Sequence, residues 1–188
     1  MGEGTRGQRT NLLGAFLLVL ALAALAFGLP AIDRALPSQR PVRPGVPYLV
    51  GGGVTVVPPA GATIDLTGTR PGEDQGMVLF RLGPVRYSIM VQPFAGTLTA
   101  AADRLRRRIT GTPGYQVTGT QLAVATMDGL AGVQGGYTAP GRGGRYTVFV
   151  GHGRTIEVTV SGGELDLGRS LPGIEASTRT LSYAEGDK

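Results

Sequence analysis

Arg145-Tyr146-Thr147-Val148-Phe149-Val150-Gly151-His152-Gly153-Arg154-Thr155-Ile156-Glu157-Val158-Thr159-Val160 is the stretch that decides the fold class. Two runs rich in β-branched and aromatic residues flank a glycine-bracketed turn, the signature of a β-hairpin. In the second run Ile156, Val158 and Val160 alternate with Thr155, Glu157 and Thr159. Strict period two predicts one face on a core and the other in water, as in an antiparallel sheet.

Working outward, the same signals recur. Tyr115 to Ala125 and Leu130 to Thr138 read as strands joined by the turn Met127-Asp128-Gly129, and Pro140-Gly141-Arg142-Gly143-Gly144 reads as a further turn. Met77 to Leu82 and Val85 to Val91 form a second hairpin around Gly83-Pro84, ended by Pro93. Val54 to Val57 and Ala62 to Leu66 are shorter strand candidates.

Between the two β blocks the period changes. Leu98, Ala101, Ala102, Leu105 and Ile109 fall on one helical stripe, Thr97 or Thr99 supplies an N-cap, and Gly111, Pro113 and Gly114 stop the helix. Leu165, Leu167, Leu171, Ile174, Thr178 and Leu181 follow helical spacing over Glu164 to Tyr183, with Pro172 expected to split or start that helix. The order predicts an α+β domain over residues 48–184. Its antiparallel sheet has about six to seven strands, with two helices covering one face.

The N-terminal part is of another kind. Leu12 to Leu29 is an uncharged run of 18 residues, which at helical rise spans roughly 27 Å, near a bilayer's hydrocarbon thickness. Residues 11–29 are therefore expected to form one transmembrane helix. Arg6 and Arg9 precede it, so residues 1–10 are expected in the cytoplasm and the C-terminal domain outside. A cleaved signal peptide is the competing reading, with Ala26-Phe27-Gly28 as the cleavage site; Pro30 and the length of the apolar run favour an uncleaved anchor. Ala24-x-x-x-Gly28 has the spacing that lets two membrane helices approach closely. Residues 30–47 carry Pro30, Pro37, Pro41, Pro44 and Pro47 among Arg34, Arg40 and Arg43. Such density predicts a semi-stiff tether, solvated or touching anionic headgroups. Residues 185–188 are a polar tail.

Composition narrows the chemistry. The chain has no cysteine and a single histidine, which removes disulfides, thiolate sites and any two-histidine metal centre. His152 sits between glycines at a hairpin tip, and a catalytic base needs neighbours to hold it. Ser88 and Ser161 lack the G-x-S-x-G context. Gly141-Arg142-Gly143-Gly144 is followed by a strand, not the helix a phosphate cradle requires. Asp65, Glu73 and Asp74 match no cation-loop spacing. No catalytic residue, cofactor or metal site is expected. The net charge is +5, but from Tyr48 onward 12 Arg and one Lys stand against 11 acids. The excess belongs to the membrane-proximal part, so a nucleic-acid partner is not expected.

Certain residues resemble the PsbP-like fold, in particular the LpqN-type and type VII secretion-associated exported proteins of actinobacteria. They are Val57-Pro58-Pro59-Ala60-Gly61 at the end of an opening strand, Leu98 and Leu105 in the helix, Gly129-Leu130-Ala131-Gly132-Val133, the strand around Tyr146 and Phe149, Arg154 to Val160, and the closing Thr180-Leu181. The resemblance spans about Leu49 to Tyr183. The family's early Trp and its lipobox Cys are missing, so lipid anchoring does not carry over. The resemblance implies an extracytoplasmic binding or assembly role in the cell envelope, without catalysis. The partner would be an envelope protein or an anionic lipid or polymer.

The candidate contact surface is the arginine face of the 97–109 helix. Arg104, Arg107 and Arg108 are expected outward and close together, with Arg106 at the edge and Asp103 as the lone acid of the helix. Arginine suits bidentate contact with phosphate or carboxylate. An alternative is a carrier that holds a lipid or other apolar ligand between sheet and helices, in space left by Gly132, Gly135 and Gly136.

Overall fold

The computed structural model describes residues 38–184. The expected membrane run, the tail before it and the polar tail lie outside the described residues. Among the described residues no helix is long and apolar enough to cross a membrane.

In chain order the elements are β1 (Gln39–Pro41), β2 (Tyr48–Gly51), β3 (Val54–Val56), β4 (Thr63–Asp65), β5 (Gly76–Leu82), β6 (Val85–Pro93), α1 (Leu98–Thr110), β7 (Gln116–Ala125), β8 (Ala131–Ala139), β9 (Arg142–Gly151), β10 (Arg154–Gly162), α2 (Glu164–Arg179) and β11 (Ser182–Tyr183). Eight strands form one antiparallel sheet in the order β1-β4-β5-β6-β10-β9-β8-β7, and β11-β3-β2 form a small second sheet. The α+β class, the two helices and the large antiparallel sheet agree with the sequence reading. The large sheet has eight strands where about six to seven were expected, β1 being the one without a sequence signal, and the expected strand Val54 to Val57 pairs instead with β2 and β11 in the small sheet.

The hairpins close as their turn residues dictate. His152 and Gly153 occupy the two-residue loop between β9 and β10 at φ 49° and 69°, the left-handed pair that matches strand twist. Between β8 and β9 the loop is Pro140-Gly141, with Gly141 alone left-handed at φ 71°, so Arg142 to Gly144 are strand, not turn.

Register then sorts the side chains. Ile156, Val158 and Val160 pair across to Val91, Ile89 and Tyr87, and all six are buried. With Val78, Phe80 and Phe149 they form the main core, closed by Val50, Val54 and Val56 of the small sheet and by Leu167 and Ile174 of α2. On the opposite face Tyr137, Tyr146 and Val148 bury against Ala101 and Leu105 of α1. The helices therefore lie on opposite faces, which corrects the expectation that both cover one. Thr155 and Glu157, expected in water, are 0% and 3% exposed, because their face is the one α1 lies over.

Two proline positions also differ from expectation. Gln39 to Pro41 pair with β4, and Val42 donates to the Ala62 carbonyl at 3.2 Å, so the last part of the expected tether joins the domain. Proline is tolerated there because an edge strand has one side unpaired. Helix α2 runs unbroken through Pro172. Its halves are both pinned, by Leu167 on one side and Ile174, Ser177 and Thr178 on the other, which outweighs one lost backbone bond. Tyr87 reaches it from β6: burial pushes its hydroxyl up to about 12, and the oxygen lies 3.2 Å from Thr178 Oγ1 and 3.4 Å from Ser177 Oγ.

Asp65 at the end of β4 fixes the turn after it. Its carboxylate accepts from Thr67 Oγ1 at 2.6 Å, from the Thr67 and Gly68 amides, and from Arg81 Nε at 3.0 Å. The Thr67 hydroxyl above all, against the opposing effect of burial, holds this carboxyl below its ordinary range. A depressed carboxylate stabilises the fold above its unfolded value and loses that contribution as pH falls through the folded one. Wild type is thus expected to lose melting temperature between about pH 4 and pH 2 more steeply than Asp65→Asn, whose curve in that window should be flatter. Scanning calorimetry across the window checks this.

Candidate functional site

α1 begins at Thr97, whose Oγ1 accepts from the Ala100 amide at 3.2 Å, and it packs on β7, β8 and β9. Leu98 and Ile109 are half-buried beside the fully buried Ala101, Ala102 and Leu105. Because α1 covers one half of its face, a groove of about 360 Å³ remains between the helix and the strands beside it. Met77, Ser88, Met90, Glu157 and Thr159 make its floor, Leu105, Arg108, Ile109 and Thr112 its wall, and Tyr115 and Tyr137 its end. The two tyrosine rings stack at 5.9 Å, and burial raises the Tyr137 hydroxyl, which donates to the Val160 carbonyl at 2.9 Å.

One charged network crosses this groove. The Glu157 side chain is 2% exposed, and its Oε2 accepts from Arg108 Nη1 at 2.6 Å. Gln92 Nε2 donates to Glu157 Oε1 at 3.0 Å, while Arg104 Nη2 donates to Gln92 Oε1 at 3.3 Å. Arg104 also sits 6.0 Å from the centre of the Phe94 ring. A buried carboxylate must be paired, and the paired guanidinium ties α1 to β10 at a fixed angle.

The expected arginine face is therefore divided. Arg104, Arg107 and Arg108 are all exposed. Arg108 and Arg104 reach back to the sheet, so they do not join Arg107 in one outward cluster, and Glu157 of β10, not the helix's own Asp103, is the acid that Arg108 meets. Arg107 has no side-chain partner among the described residues, and Arg106 meets Asp103 at 3.5 Å. Sequence reasoning missed Glu157, Gln92, Met77 and Met90. The available signal was a carboxylate in the middle of a strand whose flanking hydrophobics are core.

The glycines expected to leave a ligand pocket do not. A Cβ at Gly132 would lie 2.4 Å from the Phe149 ring, and one at Gly135 would lie 2.4 Å from the Tyr146 hydroxyl oxygen. Cross-strand aromatic rings fill those places, and Thr118 stands 3.0 Å from the corresponding position at Gly136. His152 lies at the hairpin tip with its ring 4.3 Å from that of Tyr183. Among the described residues no three His, Cys, Asp or Glu side chains converge on one point.

No family model matches the sequence, and no curated protein matches it. Solved structures do. The solution structure of cyanobacterial PsbP (CyanoP) from Synechocystis sp. PCC 6803 superposes with a TM-score of 0.51 at 16% identity, covering 76% of this chain and 98% of the other. The domain has a PsbP-like fold. Two further structures are similar to the PsbP-like domain at lower scores. A protein of unknown function, PA94 from Pseudomonas aeruginosa, gives 0.46 at 20% identity over 58% of this chain and 84% of its own. LpqN, described as involved in cell envelope biogenesis of Mycobacterium tuberculosis, gives 0.39 at 13% identity over 80% and 94%. The PsbP-like arrangement agrees with the resemblance drawn from the sequence.

Proposed function

We propose that this chain is a membrane-anchored, extracytoplasmic, non-enzymatic binding or assembly module of the cell envelope, which takes its partner in the groove beside α1. The observation that carries the reading is the groove itself. Methionine and tyrosine side chains line it around one neutralised charge pair, an arrangement suited to recognition: adaptable apolar surface with a fixed polar mark. Arg108 keeps donors beyond those used on Glu157, with which it can meet an acidic group of the partner. The single apolar run Leu12 to Leu29 and the arginines before it support the anchor and its orientation.

The chain's four methionines make a direct test. Photoreactive methionine incorporated in the native host reports contacts at Met77 and Met90 in the groove, while Met127, 78% exposed elsewhere, serves as the surface reference. The expected result is a protein adduct at Met77 or Met90 in a carbonate-resistant membrane fraction. Lipid adducts at those two positions would support the carrier reading instead. Adducts at Met127 alone, or a reporter at Lys188 active in the cytoplasm, would overturn the proposal.

A further inference from the structure

The two edges of the large sheet are unlike. β1 is three residues long and contains Arg40 and Pro41, the usual protection of an edge. β7 is ten residues long, and from Tyr115 to Met127 the chain has no charge and no proline. Among the described residues β7 pairs with β8 alone, so its other side presents unpaired backbone donors and acceptors. Leu122 on this strand is 61% exposed. A bulge between Thr118 and Leu122, with Gly119 at φ 71°, leaves Gln121 to Ala125 as the regular half of the edge.

This half is self-complementary. Two copies paired antiparallel about Ala123 place Leu122 of each opposite Val124 of the other, and Gln121 opposite Ala125. Register with β8 and β9 puts Leu122 and Val124 on the Phe149 side of the sheet, so the two pairs make one apolar cluster. No like charges face each other across the two-fold, as an isologous contact requires. A second, independent feature points to the same occupant: Ala24-x-x-x-Gly28 in the apolar run is a spacing at which identical membrane helices approach closely. We infer that β7 is a homodimerisation edge, joining two copies of this chain into one continuous sheet through residues 121–125.

The absence of cysteine makes the test clean. Single cysteines are placed one at a time at positions 121–125 in the full chain, in native membranes, and oxidised mildly. Ala123→Cys lies on the two-fold, where Cα atoms of facing residues come within about 4.5–5.5 Å, the range a disulfide spans. It is expected to give crosslinked dimer at least about tenfold more than Arg40→Cys on β1. Adding Leu122→Lys to Ala123→Cys is expected to lower the yield about tenfold, because two ammonium groups then face the same cluster. The inference is overturned by absence of dimer at all five positions, by equal yield at Arg40→Cys, or by a yield unaffected by Leu122→Lys. A larger adduct containing another protein at these positions would also overturn it, assigning the edge to a different partner.

Discussion

Gly76→Ala is expected to destabilise the domain by about 2–4 kcal/mol, at or above the upper end of ordinary overpacking. The Cβ would lie 2.0 Å from the Val50 carbonyl oxygen and 2.9 Å from Gly51 Cα. The obstruction is mutual, since a Cβ at Gly51 would stand 2.7 Å from Gly76 Cα, and Gly51 holds φ 142°. Here the small sheet crosses the large one with backbone against backbone, so no flexible side chain can move aside. β2 and β5, which belong to different sheets, would have to move apart, opening the core at Val50 and Val78. Gly168→Ala is the contrast: it lies inside α2 with nothing within 4 Å, and it should stabilise by about 0.5–1 kcal/mol through reduced unfolded-state freedom and better helix propensity. Urea unfolding of the two variants beside the parent checks both signs. A Gly76→Ala midpoint equal to the parent's would mean that the two sheets are not in backbone contact.

Arg108→Gln is expected to cost about 1–3 kcal/mol, whereas Arg107→Gln should be within about 0.5 kcal/mol of neutral. Removing one partner of a buried pair leaves an uncompensated charge, a loss of about 3–5 kcal/mol when both partners are deep. Glu157 is 2% exposed but Arg108 is 45% exposed, so water reaches the guanidinium side and the lower figure applies. The cost arises from the carboxylate left behind, so Glu157→Gln in the Arg108→Gln background should recover part of it. A double-mutant cycle measured by urea unfolding gives the coupling directly. Additive single effects would show that the pair contributes nothing. This outcome differs from what the sequence alone implies, since three solvated arginines could be replaced together with little effect on folding. Binding studies of the groove should therefore use variants of Met77 or Met90 rather than Arg108 variants, whose loss of binding would mix with loss of fold.

Much of this domain was legible because local rules carried it. Period-two runs bounded by glycine turns identified the β5–β6 and β9–β10 hairpins, and a single helical stripe identified α1, while the choice of Thr97 over Thr99 as its cap came from the structure. Those features depend on residues within a few positions of one another, where backbone preference and turn chemistry dominate. The apolar run Leu12 to Leu29 and the absence of cysteine are likewise properties of the chain as written. Tertiary structure decided what each face meets. Glu157 reads as a solvent residue because its strand alternates, yet α1 returns over that side and buries it, and only the packed helix brings Arg108 to it. Gly132 and Gly135 read as vacancies, but the partner strand places Phe149 and Tyr146 across them. β1, β2 and β11 hold two to four residues each and exist because a neighbouring strand satisfies their backbone groups, not through any propensity of their own. Pairing between residues far apart in sequence has no local signature, so the groove, its charge pair and the open edge of β7 emerge only once the strands are in order.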